Sequence, residues 1–225
     1  FRLDLDHPLA STADVRAALW GDYDNDGLVD VYFCRRGPNQ LWRQTTGGNW
    51  SDVTATTLTA GDQRDTVDGL MFDADHDGDL DLFLVNADSP NELLSNNLDG
   101  TFRQLGVTQG IAGDGRPSRQ ALAVDVDNDR DLDLIVLHDQ PPHDVHLNDR
   151  LWNYRAVEGW RDFRDTPMQA ALAMDSDAAG NAEIVTRDGA ALTVWRTSHE
   201  GAKRNHRFML TEDGVADGQI PSGDR

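Results

Sequence analysis

The sequence predicts an all-β protein, a β-propeller built of about four blades. Three observations predict it. An aspartate-rich nonapeptide recurs four times, at 22–30 (DYDNDGLVD), 73–81 (DADHDGDLD), 125–133 (DVDNDRDLD) and 175–183 (DSDAAGNAE). Its first acids, Asp22, Asp73, Asp125 and Asp175, stand 51, 52 and 50 residues apart. The apolar pieces between the loops are short, and none keeps a 3.6-residue period over three turns. A period near 50 with about four strands per unit belongs to a propeller blade, which needs neighbours to bury its two faces.

Taken in order, each unit has the same parts. A first strand leads into the loop, as AALWGD (17–22), GLMFD (69–73), ALAVD (121–125) and ALAMD (171–175). A second leaves it, as LVDVYF (28–33), DLDLFL (79–84), DLDLIV (131–136) and AEIV (182–185). In the second of these, Leu80, Leu82 and Leu84 alternate as one face of a half-buried strand does. Pro38, Pro90 and Pro142 mark turns before the third strands, NQLWR (39–43), NELLS (91–95) and HDVHL (143–147), with LTVWR (192–196) following without proline. Trp50, Phe102 and Tyr154 close the first three units. The expected blades occupy 1–198, in units 17–68, 69–120, 121–169 and 170–198. Residues 1–16 supply the outer strand of a preceding or closing blade, through FRLDL (1–5), and 199–225 form a C-terminal strand and tail. A strand clasp between residues 1–5 and the fourth unit would close a ring of four. Four blades is the lower limit for closure, so the expectation is a piece of a larger propeller.

With 40 acidic against 20 basic residues the formal net charge is −20. Nothing in such a chain neutralises phosphates, which excludes nucleic acid as a partner. The acids are concentrated in the loops, where their spacing serves a metal ion better than a merely solvated surface. The one cysteine, Cys34, permits no intrachain disulfide and reads as a buried small hydrophobe. No apolar run approaches the ~18 residues of a membrane span, so no direct membrane insertion is expected.

Alternate carboxylates around a tight turn suit a hard cation. Calcium takes six to eight oxygens at about 2.3–2.6 Å, which side chains at loop positions 1, 3, 5 and 9 and a carbonyl at 7 supply. A helix–loop–helix site also needs a bidentate Glu at position 12. Those positions are Phe33, Leu84, Val136 and Thr186, and strands flank the loops.

On the four D-x-D-x-D-G-x-x-[DE]-like loops, their period and the following LWR…WSDVT (41–54), the chain resembles the FG-GAP family, also called VCBS repeats. These are the blades of the integrin alpha-chain propeller and of many bacterial secreted proteins. The resemblance implies Ca2+ held in loop one by Asp22, Asp24, Asp26, the Leu28 carbonyl and Asp30. In loop two it implies Asp73, Asp75, Asp77, the Asp79 carbonyl and Asp81, and in loop three Asp125, Asp127, Asp129, the Asp131 carbonyl and Asp133. Loop four keeps Asp175, Asp177, the Asn181 carbonyl and Glu183. Arg130 stands at position 6 of loop three in place of glycine, and a positive φ there would cost it roughly 1 kcal/mol. Loop four has Ala179 at position 5 and is expected to bind most weakly or not at all. The tail NHRFML (205–210) resembles the start of an ASPIC-type domain.

Other features weigh less. His138, His143 and His146 cluster in HDQPPHDVH and suit a zinc site, but His143 falls in the repeat slot of Asn39 and Asn91, and His146 in that of Trp42 and Leu94. Trp20, Trp42, Trp160 and Trp195 are expected between blades, not in a sugar site. Asn49-Trp50-Ser51 is a glycosylation sequon. No nucleophile elbow, phosphate loop or H-E-x-x-H motif is present, and the dense carboxylate pairs all belong to loops. The resulting expectation is a non-catalytic, calcium-binding, adhesion-type scaffold of a secreted, periplasmic or cell-surface protein. It presents loops to a protein or glycan partner. The alternative is a carbohydrate-active propeller, a lectin or a polysaccharide lyase. A lyase needs a basic residue beside a groove, which RRG (35–37) or the histidine cluster would have to supply.

Overall fold

A computed structural model describes residues 4–157, 159–176, 178–189, 191–211 and 214–218. Among them the strands form four antiparallel sheets, and in each sheet strand order follows chain order. The first sheet contains β1 (Val15–Gly21), β2 (Asp30–Arg35), β3 (Gln40–Thr45) and β4 (Asn49–Asp52), followed by a single helical turn, α1 (Thr54–Thr57). The second contains β5 (Thr66–Phe72), β6 (Asp81–Asn86), β7 (Glu92–Asn96) and β8 (Phe102–Gln104). The third contains β9 (Ser118–Val124), β10 (Asp133–His138), β11 (Asp144–Asn148) and β12 (Tyr154–Ala156), and α2 (Arg161–Arg164) follows it. The fourth has five strands: β13 (Ala170–Met174), β14 (Glu183–Arg187), β15 (Ala191–Ser198), β16 (Gly201–Thr211) and β17 (Gly214–Gly218). The chain is thus an all-β protein of four β-propeller blades, each with its aspartate loop between the first two strands.

The second turn of each blade is built the same way from different residues. At the end of the second strand an N–H would be left without a partner, and the side chain opening the third strand takes it. Asn39 Oδ1 accepts from the Arg35 N–H (2.8 Å), Asn91 Oδ1 from Asn86 (3.0 Å) and His143 Nδ1 from His138 (3.1 Å). The repeat slot read for His143 is therefore a turn-capping position that either an amide oxygen or an imidazole nitrogen can fill.

Two compact units divide the chain, Phe1–Ala121 with Arg150–Asn153, and Leu122–Asp149 with Tyr154–Arg225. In the first, Tyr32, Cys34 and Leu41 of blade one form a core with Leu82, Leu84 and Leu94 of blade two. In the second, Ile135, Val145 and Leu147 of blade three pack with Ile184 and Trp195 of blade four, around the edge-to-face rings of Trp160 and Phe163. Strand register makes Tyr32 and Ile135 equivalent, and likewise Leu82 and Ile184. The same face meets the following blade in both units.

That packing corrects the half-buried strand expected at 79–84. All six residues of β6 are buried, as are all six of β10. Leu80 precedes the strand. The tryptophans also divide: Trp160 and Trp195 are core, but Trp20 is 56% exposed and meets Trp50 edge-on. Of the expected outer strand FRLDL, Phe1 to Leu3 lie outside the described residues. Asp4 and Leu5 are irregular, and a single 3-10 turn follows at Pro8–Ser11. Among the described residues no helix is long and apolar enough to cross a membrane.

Gly69 on β5 sits where its own sheet and the first blade leave no room for a side chain. A Cβ there would stand 2.8 Å from the Phe83 carbonyl oxygen and 2.9 Å from Leu19 Cδ1. The equivalent residues are Ala18 and Ala171. Gly69→Ala is expected to destabilise by about 1–3 kcal/mol through overpacking. Denaturant titration checks this, and an unchanged midpoint would contradict the packing described.

Candidate metal centres

Each loop is held by its own first residue. Positions 4 and 6 take left-handed backbone: Asn25, His76, Asn128 and Ala178 at φ of 57°, 65°, 66° and 56°, then Gly27, Gly78, Arg130 and Gly180 at 84°, 93°, 76° and 85°. Arg130 adopts this conformation without glycine's freedom. The turn brings the position-6 N–H onto the position-1 carboxylate. Asp22 accepts it at 2.8 Å, Asp73 at 3.1 Å, Asp125 at 3.0 Å and Asp175 at 3.0 Å.

The acid at position 9 begins the second strand and is buried in all four loops, as Asp30, Asp81, Asp133 and Glu183. In the first three, one oxygen accepts the position-2 N–H, from Tyr23, Ala74 and Val126 at 3.2, 3.0 and 2.8 Å. The other accepts an N–H at the third strand, from Gln44, Asn96 and Asn148 at 2.8, 2.9 and 2.9 Å. Burial raises these carboxyls, to about 6 for Asp30 and about 7 for Asp81 and Asp133, against the lowering effect of those N–H donors.

Positions 1, 3 and 9 converge. One oxygen each from Asp22, Asp24 and Asp30 lies within 4.8 Å of the others, and so do Asp73, Asp75 and Asp81, and Asp125, Asp127 and Asp133. That is about twice a calcium–oxygen distance. Each triad has a buried oxygen with no hydrogen-bond partner, on Asp24, Asp73 and Asp127. An all-oxygen donor set with unsatisfied lone pairs fits a hard cation. Position 5 falls outside the triads. Asp26, Asp77 and Asp129 are exposed and accept the position-7 N–H, from Leu28 at 2.9 Å, Asp79 at 3.2 Å and Asp131 at 2.9 Å. In loop four, Asp177 lies outside the described residues. Asn181 is exposed, and Glu183 accepts from the Ser176 N–H (2.9 Å) and hydroxyl.

Arg43 is a site residue that the spacing of acids does not reveal. On β3 it sits across loop one, with Nε 2.5 Å from Asp24 and a terminal nitrogen 2.8 Å from Asp26. Strand register places Ser95 and Leu147 at the same position in blades two and three, and Arg196 in blade four. Arg196 lies 3.6 Å from Glu183. Two of the four loops therefore carry a resident cation from the third strand.

Among the described residues the histidines are not gathered as metal ligands. His143 accepts at Nδ1 and so donates at Nε2, to the Thr166 carbonyl (3.1 Å). His138 pairs with Asp144 (3.0 Å), and burial lowers His146 from the usual imidazole range. Of the other candidate bases, Arg35 donates to the Ala13 and Pro38 carbonyls, and Arg36 pairs with Asp65.

The profile of the FG-GAP-like repeat family matches residues 22–84 and 73–136, spans that together cover half of the chain. No curated protein matches. Among solved structures, a lectin of Agrocybe aegerita that recognises non-reducing terminal N-acetylglucosamine is similar over 91% of this chain, with 16% identity and a TM-score of 0.59. The chain spans about half (54%) of that lectin's length. An engineered GH43 glycoside hydrolase is similar over 94% of this chain and 41% of its own, at 13% identity and a TM-score of 0.42. A seed albumin of Lathyrus sativus is similar over 90% and 92%, at 10% identity and a TM-score of 0.35. The lectin likeness is one of fold.

The raised carboxyls give a pH dependence to the metal-free protein. Asp30, Asp81 and Asp133 bind protons more readily folded than unfolded, where an aspartate titrates near 3.9. Their stabilising effect is complete below that value and is lost as pH rises through about 6 to 7. In chelator the melting temperature should therefore rise as pH falls from 8 to 5. A melting temperature that is flat or falls over that range would contradict this assignment.

Proposed function

The chain belongs to the FG-GAP-like repeat family, and on that premise we propose that it is a non-catalytic, calcium-binding propeller scaffold. The single observation that carries the reading is the triad of convergent carboxylates, repeated in three loops with an unpartnered oxygen in each. Calcium in each loop draws together like charges that otherwise repel, and pins the hairpin between the first two strands of the blade. Asp22, Asp24 and Asp30, with their counterparts in loops two and three, face the ion. Asp26, Asp77 and Asp129 join through rotation of exposed side chains, and the position-7 carbonyls complete the shell. In this reading residues 1–198 carry the blades and 199–225 a C-terminal strand and tail, of which β16 and β17 join the sheet of the fourth blade. Extracellular calcium modules work at about 10⁻⁴–10⁻³ M, and a range of that kind supports a secreted, periplasmic or cell-surface setting. There it presents loops to a protein or glycan partner.

A glycan partner is the more specific version of this reading. In the first unit a groove of about 480 Å3 combines Phe102, Leu94 and Leu58 with Arg64, Glu92 and Gln104, apolar surface beside hydrogen-bonding groups. A lyase reading is weaker, since Arg35, Arg36 and His143 are all engaged in the fold. Binding on a glycan array without turnover supports the lectin-like version, and an unsaturated product supports the lyase.

Two measurements test the calcium reading. Each occupied site should add RT ln(1 + [L]/Kd) to stability, about 1.4 kcal/mol at a tenfold excess over Kd. A melting temperature that is the same in chelator and in millimolar calcium would sink the idea. Arg43→Gln should raise the affinity of loop one about threefold, the size of a partly exposed ion pair. Calorimetry showing weaker binding would mean that Arg43 organises the loop and does not compete with the ion.

A further inference from the structure

Asn96 bonds to two of the loops at once. It ends β7 in blade two and is 5% exposed. Its backbone N–H donates to Asp81, the position-9 acid of loop two, at 2.9 Å. Its Nδ2 donates to the Leu80 carbonyl of the same loop at 3.3 Å, and to the Tyr23 carbonyl of loop one at 2.8 Å. Oδ1 accepts the Leu98 N–H at 3.0 Å, which leaves the NH2 toward the two carbonyls. Tyr23 stands at position 2 of loop one, between the triad members Asp22 and Asp24. Its N–H is the one that Asp30 accepts, and its ring packs on Phe102 of blade two at 6.0 Å. A chain of hydrogen bonds therefore runs from Asp81 through Asn96 and the Tyr23 backbone to Asp30, from one position-9 acid to the other.

We infer that Asn96 couples the two loops, so that an ion in either one raises the affinity of the other. The inference rests on the calcium reading above and adds regulation to it. An empty triad holds like charges that push apart, and an ion draws them in and steadies the position-9 acid and the backbone beside it. With loop two filled, Asp81 and the Leu80 carbonyl hold Asn96, and Asn96 holds the carbonyl that lies between two acids of loop one. Loop one then meets its ion with less left to order, and by reciprocity loop two gains as much from an ion in loop one. Charge alone has the opposite sign. An emptied loop two leaves more negative charge near loop one, which favours the ion there. The direction of the effect therefore separates the two causes.

The test uses the whole chain, with calcium as the probe. Calorimetric titration compares wild type, Asp75→Ala, Asn96→Ala and the double variant, with loop one identified as the site lost in Asp24→Ala. Asp75→Ala removes a triad member of loop two and leaves Asn96 in place. It is expected to weaken loop one about fivefold, the lower end of usual couplings between sites. In the Asn96→Ala background the same substitution should leave loop one unchanged or slightly tighter. Loop-one affinity that holds or rises in Asp75→Ala alone overturns the inference, and so does a fall that is as large without the Asn96 side chain. Because Asn96→Ala takes a donor from two carbonyls and can cost the fold, amide exchange supplies a check without it. In Asp24→Ala, calcium should slow exchange of the Tyr23 N–H about fivefold, and adding Asp75→Ala should abolish the slowing. Equal rates with calcium and with chelator, or slowing that survives Asp75→Ala, overturn the inference. A wild type that binds no calcium overturns the underlying calcium reading instead, and this one with it.

Discussion

The constraint on which the loops depend is the buried acid at position 9. Asp30, Asp81 and Asp133 each accept two backbone N–H groups, one from the loop and one from the third strand. Each thereby joins loop, second strand and third strand at one point. Two donors converge from different directions, so the group must offer two acceptor oxygens. Among side chains only a carboxylate does so, since an amide would turn its NH2 toward one of the N–H groups. This accounts for the acid at position 9 in the first three loops. In blade four, Glu183 keeps the loop contact and turns its other oxygen toward Arg196.

The same acids explain what the sequence reveals and what it conceals. Repeat spacing is legible because every blade spends nearly the same number of residues on the same four strands. The turn-capping slot of Asn39, Asn91 and His143 is legible for that reason too. In DLDLFL, the aspartates between leucines imitate a strand with one wet face. The structure instead buries Asp79 and Asp81 along with Leu82 and Leu84. Period-two polarity cannot separate a solvated side chain from a buried one held by backbone donors or a cation. Arg43 is hidden differently. It lies 17 residues beyond Asp26, and only the hairpin register carries it across the loop. Trp20 looks like core by residue type and is exposed by position.

Loop geometry also separates folding from ion binding. The turn is closed by hydrogen bonds from position 6 to position 1 and from position 7 to position 5, all within the chain. What remains unsatisfied is charge: one unpartnered oxygen in each triad and a cluster of anions at short range. On the calcium reading proposed above, a preformed turn spares an ion most of the ordering entropy, so its binding energy goes largely to neutralisation. Where Arg43 or Arg196 already supplies positive charge, less of that energy is available. The loops are thus graded in uncompensated negative charge although their backbones repeat.

Cys34 has a further use that follows from where it sits. Its thiol is buried in the core between the first two blades, 3.6 Å from the Asp68 carbonyl, and burial pushes it well above the range in which a thiolate forms. It is the sole cysteine in the chain. In the closed structure it is chemically silent, so an alkylating reagent reaches it only when the interface between these blades opens. Labelling of one atom therefore counts openings of one interface, and its rate measures how firmly the first two blades hold together.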